Sequence, residues 1–101
     1  MNIALMQFDT VWEDKETNLN QVASKIQQLP ETIDLVVLPE MFTTGFTMKP
    51  ESVAEEENGF ALQFIQNLAS KQNVAIVGSW VTKEAEDFYN RLYFVFPDGS
   101  Y

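Results

Sequence analysis

A short apolar run that ends in a proline and a carboxylate constrains this chain more than any other stretch. Residues 34–38 read DLVVL and are followed at once by Pro39 and Glu40. A continuous apolar run of this length is typical of a strand that is covered on both faces in a parallel sheet. Proline cannot donate to a strand ladder, so we expect the strand to end there. Ligands of open α/β sheets bind outside the carboxyl ends of the strands, which makes Glu40 the candidate for chemistry.

The segments on either side predict the rest of an α/β fold. Residues 2–8 are mostly apolar and predict a first buried strand, whereas residues 14–29 and 59–72 carry apolar side chains at helical spacing and predict two helices. Residues 74–81 and 88–96 predict a third and a fourth strand. The short polar connection between these two strands leaves no room for a helix, so they should form an antiparallel hairpin. The predicted fold class is therefore α/β, with a mixed sheet that carries two helices on one face.

Three other features of the sequence bear on the site and on the extent of the chain. Residues 41–58 predict a long functional loop, in which the acidic run at 55–57 is interpreted as a solvated face rather than a metal site. Gly78-Ser79 interrupts the third strand, where a backbone or a ligand can approach closely. Residues 97–100 read PDGS, a strong turn signal. A turn at the end of a chain has nothing to turn into, so we expect the natural polypeptide to continue past Tyr101.

Charge and composition exclude several classes of partner. Fifteen acidic residues against six basic ones give a net charge of −9, whereas nucleic acids and anionic membrane surfaces need clustered lysine and arginine. The chain has no cysteine and no histidine, which argues against thiolate, zinc and iron sites. It shows neither a secretory signal pattern nor an apolar run of membrane-spanning length. We therefore expect a soluble, cytoplasmic protein that binds neither nucleic acid nor membrane.

The stretch LPEMFTTGF, placed after a first strand NIALMQFD and a helix, resembles the region around the first glutamate of the nitrilase, or carbon-nitrogen hydrolase, superfamily. The resemblance is strongest to the omega-amidase-like branch. It runs through residues 1–101 but covers only the amino-terminal part of such an enzyme, so it implies a partial, truncated domain of an α-β-β-α sandwich. Family members use a Glu, Lys and Cys triad, and Glu40 matches the glutamate. The chain has no cysteine, and its five lysines match no lysine motif of the family.

The resemblance implies hydrolysis of an amide through a thioester, with Glu40 as the general base. It implies a small-molecule substrate, an omega-amide of a dicarboxylic or 2-oxo acid, no metal or cofactor, and a homodimer at full length. Phe42 and Thr44 are then candidate substrate-binding residues. Asn90, in FYNRLYF, resembles the family's asparagine at the start of the strand that leads toward the lysine segment, and it is a candidate to orient a loop near the site. The 101-residue chain by itself is expected to be inactive.

Some of these side chains have a second interpretation. Phe42 and its neighbour Met41 are as compatible with an ordinary core as with a pocket wall. Arg91 could meet a substrate carboxylate, but alternation along the strand favours a surface ion pair. Trp12 and Trp80 are interpreted as packing residues rather than binding platforms.

The chain as a whole also has alternatives. It could be a non-catalytic acidic α/β binding module in which Glu40 is a solvated loop residue, and the terminal turn and an uncovered sheet face speak against this. A second hydrolase type, in which a loop acid pairs with Glu40, finds no support in the spacing. We expect the uncovered face to make the isolated chain self-associate or fold poorly. The residues predicted for that face are Val36, Ile76, Phe94 and Phe96.

Overall fold

The computed structural model describes residues 1–101 and contains four strands and three helices. In chain order they are β1 (Ile3–Leu5), α1 (Lys15–Gln27), β2 (Leu35–Val37), α2 (Pro50–Val53), α3 (Phe60–Gln72), β3 (Ala75–Glu84) and β4 (Asp87–Val95). The strands form one sheet in the order β1-β2-β3-β4, in which the first three are parallel and β4 is antiparallel to β3. The predicted α/β class with a mixed sheet and a β3–β4 hairpin is confirmed.

One face of the sheet is covered by α1 and α3, as predicted. The register places Val36 of β2 opposite Ile76 of β3, and Ile76 opposite Val95 of β4, and all three are buried. Both helices turn their apolar stripes to this row, because residues three and four apart share one helix face. The buried helix residues in this core are Leu19, Val22, Ile26, Ala61, Leu62, Ile65, Leu68 and Ala69.

The ends of the two long helices are fixed by caps. Asp14 accepts a hydrogen bond from the backbone N–H of Thr17 at 3.1 Å, which satisfies one free donor at the start of α1. At the start of α3, the Oε1 of Glu55 accepts a hydrogen bond from the backbone N–H of Ala61 at 2.7 Å. Asn73 ends α3 in the left-handed conformation, with a φ of 51°.

The prediction that the first strand is buried was wrong. β1 has only three residues and lies at the edge of the sheet, where it has a single neighbour, β2. Its Ile3 and Leu5 side chains point away from the helices and are 51% and 80% exposed. An edge strand with one uncovered face cannot bury alternate side chains, however apolar its sequence is.

The sheet face opposite the helices, here called the outer face, presents Leu5, Val37, Val77, Leu92 and Phe94. Leu5, Leu92 and Phe94 are exposed, and Val37 and Val77 are half-buried. The predicted membership of this face was partly wrong. Phe94 and Phe96 are exposed as predicted. Val36 and Ile76, in contrast, point to the opposite face of the sheet and are buried under the helices.

The connection between β2 and α3 contains a short helix that was not predicted. The short α2 interrupts the predicted loop and begins with Pro50, which is suited to the first turn of a helix because its missing N–H would be unpaired there. The predicted turn at 97–100 is confirmed, since Gly99, at a φ of 88°, donates its N–H to the carbonyl of Phe96 at 2.9 Å. None of the helices has the length and apolar character that crossing a bilayer requires.

Candidate functional site

Glu40 lies just past the carboxyl end of β2, where the sequence predicted it. The ladder continues for one residue beyond the strand, since Leu38 donates its N–H to the carbonyl of Val77 at 2.9 Å. Pro39 then ends the pairing, and the chain turns over residues 40–44. The turn is closed by the N–H of Gly45, which donates to the carbonyl of Met41 at 2.7 Å. The carboxylate therefore projects from a tight turn at the point where β2 ends and β3 continues beyond it to Glu84.

The backbone directly after Glu40 is held in an uncommon conformation. Met41 has a φ of 54°, which costs a non-glycine residue about 1–2 kcal/mol. Its N–H donates to the buried hydroxyl oxygen of Ser79 on β3 at 2.9 Å. Its side chain is buried against Val53 and Val81. These contacts offset the strain and fix the direction in which Glu40 leaves the sheet.

Asn90 of β4 reaches the carboxylate itself. Its Nδ2 donates to Glu40 Oε1 at 2.7 Å, so the structure brings together two residues that lie 50 positions apart in the sequence. The three ion pairs of the chain join Lys15 to Glu55 and Arg91 to both Glu57 and Glu84, and none includes Glu40. Glu40 is thus oriented by a neutral amide, and its Oε2 has no hydrogen-bond partner in the chain.

A recess of about 300 Å³ lies beside Glu40 on the outer face. Apolar side chains of three strands make up much of its wall, and no lysine or arginine contributes to it. A carboxylate at the edge of such a recess can accept a proton from a group bound there. The lining residues are Val37, Leu38, Glu40, Val77, Gly78, Ser79, Asn90 and Leu92.

The other two predicted site residues do not line this recess. Phe42 is fully buried on the helix side of the sheet, with its ring edge-to-face against Trp80 at a centroid distance of 5.8 Å. Thr44 is also buried, and its hydroxyl donates to the carbonyl of Gly45 at 2.8 Å. Phe42 is therefore a core residue and not a pocket wall. Neither Phe42 nor Thr44 is placed to contact a ligand in the recess beside Glu40.

Ser79 is the site residue that the sequence reasoning did not single out. The only signal was the Gly78-Ser79 interruption in an otherwise apolar strand, which was interpreted as a point of close approach. A close approach does occur there, but a side chain makes it rather than the backbone or ligand that was predicted, because a Cβ atom added to Gly78 would lie 3.0 Å from Cε1 of Phe42. The ring of Phe42 occupies the space that a side chain at position 78 would need.

The prediction of a solvated acidic run at 55–57 was wrong for its first residue, Glu55. Glu56 and Glu57 are exposed, but the side chain of Glu55 is only 10% exposed and pairs with Lys15 at 2.9 Å. Glu55 also forms a backbone bridge to Thr82 and caps α3, so it is a structural residue rather than part of a solvated face. No three acidic side chains of the chain converge closely enough to hold a metal ion.

The remaining singled-out side chains follow the prediction in two cases of three. Arg91 forms the expected surface ion pair, with 3.0 Å to Glu84, and this hydrogen bond raises the pKa of Arg91. Trp80 packs in the core, stacked on Tyr93. Trp12 was expected to pack as well, but it is 64% exposed and donates its Nε1–H to the carbonyl of Phe46.

Comparison with known proteins places the chain in the same family by sequence and by structure. The carbon-nitrogen hydrolase family model matches residues 2–101. The chain is 30% identical over 100 residues to the omega-amidase YafV of Yersinia enterocolitica, which covers 99% of this chain and 38% of that protein. It is 29% identical to the 2-oxoglutaramate amidase of Bacillus subtilis, with 97% of this chain and 39% of that protein covered.

Solved structures agree with these matches. A CN-hydrolase superfamily protein of Xanthomonas campestris superposes with a TM-score of 0.90 at 34% identity, over 96% of this chain and 37% of that one. The chain thus spans about two fifths of the length of the relatives it matches. Since the family match extends over nearly all of its residues, this chain belongs to the carbon-nitrogen hydrolase family.

Proposed function

We propose that the polypeptide containing this chain is an amidase that hydrolyses small omega-amides of dicarboxylic or 2-oxo acids, with Glu40 as its general base. The observation that carries this proposal is the place of Glu40, at the end of β2 beside a recess of about 300 Å³, with one carboxylate oxygen free. Support for the substrate class comes from the similarity to proteins named omega-amidase and 2-oxoglutaramate amidase.

The proposed chemistry divides amide hydrolysis into two steps. In the first, Glu40 accepts the proton of a cysteine thiol while the sulfur attacks the amide carbon, since a thiol is mostly protonated at neutral pH. The oxyanion is stabilised by a lysine, and the C–N bond breaks as ammonia leaves with the proton. In the second step, water adds to the thioester and releases the acid and the thiol. The chain contains no cysteine, so the nucleophile belongs to a part of the polypeptide outside residues 1–101.

Three further features complete the proposal. The enzyme is cytoplasmic, it forms a homodimer, and it uses no metal or cofactor. The isolated 101-residue chain does not hydrolyse amides, because a base without its nucleophile forms no thioester. Cell fractionation, sedimentation of the full-length protein and ammonia release after treatment with a chelator test these features one by one.

The proposal is tested by ammonia release from 2-oxoglutaramate and from the monoamide of a dicarboxylic acid, with the full-length polypeptide. Glu40→Gln should lower kcat about 10²- to 10⁴-fold, the range that a positioned general base contributes. Glu86→Gln is the matched control, because Glu86 is an exposed carboxylate in the β3–β4 turn, and it should leave kcat unchanged. Full activity of Glu40→Gln would refute the role of Glu40, and failure to release ammonia from any amide would favour the binding module.

A further inference from the structure

We propose that Asn90 is the positioning residue for Glu40, and that its hydrogen bond to Oε1 selects Oε2 as the oxygen that accepts the proton. The inference rests on the proposed function and adds a role within the same site. It names which atom of the base acts and which residue of a neighbouring strand holds it in place.

A short hydrogen bond anchors the Glu40 carboxylate. Glu40 is exposed to solvent and takes part in no ion pair, so its side chain would sample several rotamers without an anchor. Asn90 Nδ2 lies 2.7 Å from Oε1, a short distance that is typical of a strong hydrogen bond to a carboxylate. This contact leaves Oε2 as the oxygen with free lone pairs. Oε2 is therefore the oxygen that is available to a thiol proton.

Asn90 is mounted on a rigid part of the sheet. Asn90 lies within β4 and pairs with Val81, and the hairpin of β3 and β4 is in continuous register from Ile76 opposite Val95 to Glu84 opposite Asp87. A group mounted on paired strands is held more closely than one mounted on a loop. The contacts of Met41 fix the backbone of the turn, and Asn90 adds a fixed contact at the carboxylate end of the Glu40 side chain.

The residue type at position 90 also fits a positioning role. Asparagine is depleted from strands, yet it occupies an interior position of β4, between Tyr89 and Arg91. Departures from local preference are expected where function requires them. A lysine or arginine here would hold the carboxylate as an ion pair and make it a poorer proton acceptor, and an aspartate would repel it. A neutral amide donor orients the base with the smallest change in its charge environment.

Asn90 lines two recesses. One is the recess beside Glu40, and the other, of about 130 Å³, is lined mainly by Met41, Val81, Phe88 and Tyr89 together with Thr47 and Pro50. Asn90 contributes to both. Truncation of Asn90 would therefore enlarge the space beside Glu40 and at the same time remove the contact that holds its carboxylate.

The test is a double-mutant cycle in the full-length polypeptide, with 2-oxoglutaramate as substrate. Asn90→Ala should lower kcat about 10- to 100-fold, the cost of misplacing a reacting group by about 1 Å. KM should change by less than about 2-fold, because the lost interaction is with the base and not with the substrate. In the Glu40→Gln background, Asn90→Ala should lower the residual rate by less than about 2-fold, since the group that it positions is already absent. Asn20→Ala, at an exposed position of α1, is the matched control and should leave both constants unchanged.

The outcomes separate this inference from the function on which it rests. If Glu40→Gln retains full activity, the proposed function fails. If Glu40→Gln lowers kcat as expected and the two substitutions act additively on the residual rate, Glu40 is the base but Asn90 does not position it. If Asn90→Ala raises KM and leaves kcat unchanged, Asn90 contacts the substrate, and the positioning role is overturned. Thermal melting of each variant shows whether a lost rate reflects unfolding, and an Asn90→Ala protein that melts with the wild type and loses kcat supports the inference.

Discussion

Gly78→Ala is the substitution that most directly tests how the core supports the site. The added Cβ would lie 3.0 and 3.1 Å from two ring carbons of Phe42 and 3.2 Å from Cβ of Leu38. Carbon atoms pack favourably at about 3.5–4.0 Å, so the ring must retreat by roughly 0.5 Å. Phe42 is fully buried and held edge-to-face by Trp80, which leaves it little room. We expect the substitution to lower the free energy of unfolding by about 1–3 kcal/mol, the usual cost of overpacking.

A smaller residue at position 42 provides the control for this prediction. Phe42→Leu alone should destabilise the protein by about 1–3 kcal/mol through lost packing. In the double variant the shorter side chain makes room for the new methyl group, so the two losses should be less than additive, by about 0.5–3 kcal/mol. Urea unfolding of the full-length protein, followed by tryptophan fluorescence, measures all four species. A Gly78→Ala protein as stable as the wild type, or strictly additive losses, would refute the proposed contact.

Three further predictions concern other parts of the chain. Ser79→Ala should lower the free energy of unfolding by about 1–3 kcal/mol, because the buried N–H of Met41 loses its acceptor. Phe94→Lys should reduce self-association of the 101-residue chain in sedimentation experiments, because it places a charge on the exposed outer face. The hydroxyl and the N–H of Ser100 donate to Asp98 and lower its pKa. A carboxylate whose pKa is lowered by folding stabilises the folded protein above its unfolded pKa, and this stabilisation is lost as the pH falls through the folded pKa. Ser100→Ala should therefore raise the pKa of Asp98 in an NMR titration and make the loss of stability in acid smaller.

Matched variants and contrary results define the limits of these predictions. Ser24→Ala removes an exposed hydroxyl of α1 and should leave the unfolding free energy unchanged. Phe60→Lys changes an exposed aromatic residue on the helix side and should not affect association. Equal association of the Phe94 and Phe60 variants would mean that the outer face does not mediate it. An unchanged Asp98 titration in Ser100→Ala would show that the hydrogen bond from the Ser100 hydroxyl does not form in solution.

Local patterns in the sequence were sufficient for most of the fold and for the position of Glu40. The helical spacing around Leu19 and Ile65 and the run that ends at Pro39 each depend on neighbours within a few residues, so they can be read without the structure. Local patterns could not predict which strand residues point to the helices and which to the outer face. Val36 and Val37 are both apolar, and when both faces of a strand are apolar the alternation that assigns each residue to a face disappears.

Long-range contacts account for the remaining differences. Glu55 caps α3 and pairs with Lys15, 40 residues away, so nothing in the local run EEE separates it from its solvated neighbours. Phe42 follows Glu40 by two residues, and an apolar side chain at that position looks the same in sequence whether it lines a pocket or fills a core. The structure decides, because Gly78 leaves a space on the helix side of the sheet that the ring occupies.

The recess beside Glu40 and the outer face are parts of one surface. Val37, Val77 and Leu92 belong to both, so any structure that covers the outer face also closes the recess. Closure would remove water from the carboxylate and strengthen its hydrogen bond to Asn90, because electrostatic interactions increase as the local dielectric falls. Burial of the apolar surface stabilises such a cover by about 25 cal/mol for each Å² removed from water. The contacts that stabilise such a cover would thus also remove water from the proposed general base.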